Sequence, residues 1–135
     1  MVSYDELVEP LALDLAYLRL SDFVTLYANG AYVQVIQNPL SLRAELKTRG
    51  PITEDQGRAL VHAGWREPQR GEPVWVRDAN WPLRADAARQ LAHRIIDAAR
   101  AFVAPDIAQV KYNARNYDTW EPIEPVSLAA LRRSQ

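Results

Sequence analysis

Histidine, serine, glycine and paired carboxylates are the places where chemistry would first show in this 135-residue chain. His62 and His93 lie far apart and neither has a second histidine at i+4, the spacing a helical zinc site uses; Asp97, four residues after His93, adds one carboxylate only. Both read as solvated helix residues, His62 sitting where a helix C-terminus favours a partly charged imidazole. Ser3, Ser21, Ser41, Ser127 and Ser134 lack a G-x-S-x-G elbow or a neighbouring base. The five glycines, Gly30, Gly50, Gly57, Gly64 and Gly71, are scattered among turns and helix ends, so no loop is built to cradle phosphate. Asp5–Glu6 and Glu54–Asp55 stand at expected helix starts, where the positive end of the helix dipole accounts for them. The chain has no cysteine, which removes thiolate nucleophiles, thiolate metal sites and disulfides together. Catalysis would therefore need an acid/base site assembled from carboxylates distant in sequence, and the expectation is no enzyme, no cofactor and no metal.

What remains is recognition by side-chain surface. In "DFVTLYANGAYVQVIQ" two runs of β-branched and aromatic residues flank Asn29-Gly30, a pair suited to the positive φ angles of a two-residue hairpin turn. That turn sets the register, with Phe23 opposite Ile36, Val24 opposite Val35, Thr25 opposite Gln34, Leu26 opposite Val33 and Tyr27 opposite Tyr32. Val24, Leu26, Val33 and Val35 form a core-like face. Phe23, Tyr27, Tyr32 and Ile36, with Thr25 and Gln34, form a mixed one. "SLRAELKT" alternates strictly and extends the sheet, adding Leu42, Ala44 and Leu46 to the first face and Arg43, Glu45 and Lys47 to the second. Phe23, Tyr27, Tyr32, Ile36 and Arg43 are the candidate partner-binding residues, since aromatic area with bordering charge suits a polypeptide partner. The alternative is that helix residues or the C-terminal segment cover this face.

Helices must then cover the apolar face. Ser3 and Glu6 stand in capping-box relation ahead of Tyr4, Leu7, Leu11, Leu15 and Leu18, one apolar stripe on an amphipathic helix in which Pro10 marks a kink or a late start. The alternation of Leu11, Leu13 and Leu15 is also compatible with a strand. Thr53 and Gln56 give a second capping box for a helix over Glu54–Ala63, stopped by Gly64. "EPVWVRD" predicts a fourth strand. "PLRADAARQLAHRIIDAARAFVAP" predicts the longest helix, with Ala88, Leu91, Ile95, Ala99 and Phe102 inward and Arg89, His93, Asp97 and Arg100 largely opposite. "DIAQVKYNA" fits a last strand or an edge segment. The expected architecture is α+β: an antiparallel β-meander packed by an N-terminal helix and a long C-terminal helix. Residues 1–115 form the single domain and 116–135 a proline-spaced tail, mobile unless Trp120 docks. Trp65, Trp75 and Trp81 each mark a change of element, which reads as a structural junction in place of a site.

The composition fits one soluble domain with one core, 48% hydrophobic and 24% charged. A net charge of −1 gives no field for a phosphate backbone, so nucleic acid is not expected as a partner. No apolar run is long enough to span a bilayer, and the first ten residues are acidic, so a cytoplasmic protein outside the membrane is expected.

"YVQVIQNPLSLRAELKT", "LVHAGWREP", "PVWVRDANWP" and "ADAARQLAHRIIDAARAFV", in that order, resemble the actinobacterial YbjN-like, type III secretion chaperone-like (TY-Chap) family. The matching residues are Tyr32, Val33 and Gln34; Leu42, Arg43, Ala44 and Glu45; Ala63, Gly64, Trp65 and Pro68; and Trp75. The resemblance covers most of residues 31–103. It implies a secretion-chaperone-like α+β fold and a non-enzymatic, chaperone-like or adaptor role in binding a segment of a protein partner, with a homodimer among the assemblies it allows. It carries over no catalytic residue. A motif-poor domain of this size also suits an inhibitor or immunity-type protein that blocks one target.

Overall fold

A computed structural model describes residues 3–134. Ser3 and Glu6 exchange their capping-box hydrogen bonds, each 3.4 Å, and the chain enters a 3-10 turn over Asp5–Leu7 before helix α1, Val8–Tyr17. Pro10 falls in the first turn of α1, where a backbone N–H has no partner to lose, so it neither kinks nor delays the helix. The five stripe residues Tyr4, Leu7, Leu11, Leu15 and Leu18 are all buried, and the segment is helical.

The hairpin pairs β1, Asp22–Ala28, with β2, Ala31–Gln37, in the register its turn dictates, all five expected pairs being present. Next come β3, Ser41–Lys47; α2, Glu54–His62, with both halves of the Thr53/Gln56 box formed; and β4, Trp75–Asn80. Helix α3, Ala85–Ala98, runs on through a π turn at Ala99–Val103, and β5, Lys111–Asn116, precedes α4, Val126–Ser134. The sheet is antiparallel throughout, in the order β4-β3-β2-β1-β5. The meander therefore grows in one direction from β1, and β5 returns to close its other side.

Alternation gives the sheet two unlike faces. Val24, Leu26, Val33, Val35, Leu42, Ala44 and Leu46 point into one core, together with Leu11 and Leu15 of α1, Leu91 and Ile95 of α3, and Leu60 of α2. Helices α1 and α3 pack antiparallel over it: Asp5 pairs with Arg100 and Glu9 with Arg89. Arg100 also lies over the Tyr4 ring, whose hydroxyl donates to the Ala104 carbonyl at 2.5 Å. Trp65 and Trp75 are buried in the same core and Trp81 packs against it from the side. Gly64 holds φ +95°, and a Cβ there would run into the guanidinium of Arg77, which donates to the Ala63 carbonyl at 2.6 Å. The glycine thus stops α2 and lets Arg77 cap it.

Beyond residue 116 the chain carries structure that local pattern does not announce. Pro122 bridges Arg115, the Ile123 N–H donates to the Ala114 carbonyl, and the segment so lies along the free edge of β5. Helix α4 then packs on α1, with Ala130 and Leu131 in the core. Its N-terminus is capped by a residue 112 positions earlier in the chain: the Asp14 carboxylate of α1 accepts from the backbone N–H groups of Val126, 2.7 Å, and Ser127, 2.9 Å, and from the Ser127 hydroxyl. That hydroxyl also meets the hydroxyl of the half-buried Tyr112 of β5 at 2.6 Å. One carboxylate thus ties first helix to last.

Asp14→Ala strands those donors and is expected to cost about 1–3 kcal/mol, read by urea denaturation, with exchange of the α4 amides accelerating first. Burial holds the Asp14 carboxyl above its ordinary range, against the opposing pull of the Ser127 and Val126 hydrogen bonds. The folded state therefore binds the extra proton, and stability falls as pH rises from the usual carboxylate range through that raised value. Asp14→Asn should flatten this part of the pH–stability curve relative to the unsubstituted protein.

Candidate functional site

The described helices gather on the core side, so the opposite face of the sheet carries no helix, although Phe23 and Val76 on it are buried. Cross-strand register arranges it in rows. The first reads Arg115, Phe23, Ile36, Arg43, Asp78 from β5 to β4; the second Asn113, Thr25, Gln34, Glu45, Val76; the third Lys111, Tyr27, Tyr32, Lys47. Phe23, Tyr27, Tyr32, Ile36 and Arg43 thus share one face, as alternation requires. The aromatic and aliphatic residues Phe23, Tyr27, Tyr32 and Ile36 occupy β1 and β2, the charges stand on β3, β4 and β5, and the buried Val76 lies on β4.

Two side-chain pairs form on this face. The Thr25 hydroxyl donates to the Gln34 side-chain carbonyl at 2.7 Å, and Arg43 Nε donates to Glu45 Oε1 at 3.0 Å across two residues of β3. This pair is 30% and 23% exposed, so it is partly screened by water and orients Arg43 more than it stabilises the fold. Burial, with the Glu45 charge adding to it, raises the Tyr32 phenol above its usual range. Tyr32 is therefore a neutral hydrogen-bond donor at any physiological pH.

The two apolar rows differ in access. Tyr27 is 40% exposed, and Tyr32 and Ile36 are half-buried. Phe23 is only 6% exposed, because the residues after β5 fold over it: its ring meets Tyr117 edge-on at 6.0 Å and Trp120 at 6.3 Å. Trp120 does dock, then, on the outer face, while its own ring stays 59% exposed. It sits at φ +59°, a conformation bulky residues avoid. Three contacts hold it there: its N–H donates to the Asn116 carbonyl at 2.8 Å, its carbonyl accepts from Arg115 at 2.8 Å, and its ring lies 5.8 Å from Tyr117.

Lys111, Asn113 and Arg115 belong to this face although sequence reasoning did not assign them to it. Their alternation with Tyr112 and Ala114 in "KYNAR" is the signal; what the sequence left open was which strand β5 would pair with. Tyr117 and Trp120 carried no local signal. His62 and His93 are both exposed and on different helices. Among the described residues no group of three or more His, Cys, Asp or Glu is placed to hold a metal ion. No helix among them is long and apolar enough to cross a membrane. A groove of about 1090 Å³ runs along the outer side of α1 and α3, lined by Leu13, Ala16, Arg89 and His93 among others.

The family model TY-Chap3, described as "T3SS (YopN, CesT) and YbjN peptide-binding chaperone 3", matches residues 3–116. The match spans all five strands and the first three helices and ends before Tyr117, Trp120 and α4. No curated protein and no solved structure matches the chain.

Trp120 separates two effects that substitution can distinguish. Trp120→Ala loses the ring contacts yet keeps the positive φ; Trp120→Gly loses the same contacts and relieves the backbone. The glycine variant should be the more stable of the two by about 1 kcal/mol, measured by urea denaturation, and equal stability would show that the backbone is not strained.

Proposed function

Because the chain belongs to the TY-Chap3 family of peptide-binding chaperone domains, we propose that it binds a segment of a partner polypeptide on the open face of its sheet, through Tyr27, Tyr32, Ile36 and Arg43. Phe23 supports this surface from beneath Trp120. The observation that carries the reading is the row arrangement: half-buried aromatic and aliphatic side chains at the centre of a face that no described helix covers, with cations on β3 and β5 to either side. Large apolar groups with a polar hydroxyl supply contact area at small conformational cost, and bordering charges fix orientation. The role is binding without chemical conversion, in keeping with a family whose description names peptide binding and no reaction. The family description does not name the client of this chain, and the arrangement favours a flexible segment over a folded domain. The middle row offers Gln34 and Asn113, whose side chains can serve a backbone of any sequence.

Peptides selected from a random display library against the unsubstituted protein give the test. Tyr32→Ala combined with Ile36→Ala should weaken the selected peptides at least about tenfold by fluorescence anisotropy, the loss of two partly buried contacts. Leu13→Ala, on the exposed side of α1, should leave affinity unchanged. Full binding by the double variant, with its fold verified by circular dichroism, would remove the sheet face as the binding surface.

A further inference from the structure

The two ends of the open face are not equivalent in charge. At the Phe23 end the cations are already engaged: Arg43 with Glu45, and Arg115 with the Trp120 carbonyl, with Asp78 next in the row. At the Tyr27–Tyr32 end the row reads Lys-Tyr-Tyr-Lys, and Arg49 follows two residues after Lys47. Lys47, Arg49 and Lys111 are all exposed, and none makes an ion pair or side-chain hydrogen bond among the described residues. The row contains no carboxylate. This concentration of positive charge occurs in a chain whose net charge is −1, so it is local placement and not bulk composition.

Geometry makes the row specific. Lys47 and Lys111 lie three strand spacings apart, about 14 Å, and four residues of extended chain span the same distance. In an extended segment side chains at i, i+2 and i+4 share one side. A segment crossing the strands can therefore set an acidic residue over each lysine with one apolar residue between them, above the paired tyrosine rings. The tyrosine hydroxyls give such carboxylates neutral donors between the cations.

Resting on the peptide-binding reading, we propose that the Tyr27–Tyr32 end selects acidic–apolar segments, with aspartate or glutamate at i and i+4 bracketing an apolar residue at i+2. Lys47 and Lys111 are the specificity-determining residues, and Tyr27 and Tyr32 supply the apolar platform. The charge contacts are exposed, so salt weakens the preference: the screening length is about 8 Å at physiological ionic strength.

Three fluorescein-labelled synthetic peptides test it on the full chain. They share one phenylalanine and differ only at the positions two residues to either side, which are both Glu, both Gln or both Lys. By anisotropy at low salt, the Glu peptide should bind about tenfold or more tighter than the Lys peptide, with Gln between. Lys47→Glu with Lys111→Glu should invert that order, and Lys47→Gln with Lys111→Gln should abolish it. These positions are exposed, so the variants should keep the melting temperature. If all three peptides bind equally and all are lost in the Tyr32→Ala, Ile36→Ala double variant, charge selection is overturned while the peptide-binding face stands. If none binds, or binding survives that double variant, both the selection and the face are overturned.

Discussion

Asn29 and Gly30 hold φ at 55° and 81°, and the two-residue turn they make allows one pairing of the strands on either side. Shift that pairing by a single residue and Val24, Leu26, Val33 and Val35 no longer face the same way as their partners. All that follows in the molecule takes its orientation from this turn. β3 adds Leu42, Ala44 and Leu46 to the same side, the helices pack on that side because the apolar area is there, and the other side is left without a helix. The core and the candidate binding surface are two faces of one alternation, so neither can be changed in register without moving the other.

That division explains why the open face is chemically mixed. Residues on it are released from the demand for core packing but remain in strands, where β-branched and aromatic side chains are favoured. Tyr27, Tyr32 and Ile36 satisfy the strand, while Lys47 and Lys111 on either side discourage edge-on or face-on aggregation of the exposed rings. A bare sheet face with those rings and no charge would be a liability. With charge on both sides it is a surface that binds under restriction.

Sequence and structure agree where the determining interactions are local. The hairpin, both capping boxes, the Gly64 stop and the inward stripe of α3 are written in residues no more than a few positions apart, and each forms as its pattern requires. The candidate residues Phe23, Tyr27, Tyr32, Ile36 and Arg43 share a face for the same reason. What the sequence left unread is non-local. β5 chooses β1 because that edge is free once the meander has grown the other way, and nothing in "KYNAR" names its partner. Trp120 looks like a lone aromatic in a proline-spaced segment, yet it covers Phe23 because the chain doubles back at Asn116. Asp14, in the middle of α1, has the appearance of a solvent-facing acid and is in fact buried as the cap of another helix. Periodicity can report that a position is polar, but not that a donor from the far end of the chain will satisfy it.

The Asp14 cap also sets an order of events. The carboxylate belongs to α1, and the N–H groups it receives are more than a hundred residues downstream. Until Val126 and Ser127 have been synthesised, Asp14 has only water to answer it, and the side of α1 that α4 will cover stays open. The closing loop spans nearly the whole domain, the kind of contact that comes late because its entropy must be met before it returns anything. The sheet with α1 and α3 can therefore assemble first as a nearly complete body, and α4 closes over α1 once its N-terminal N–H groups reach Asp14.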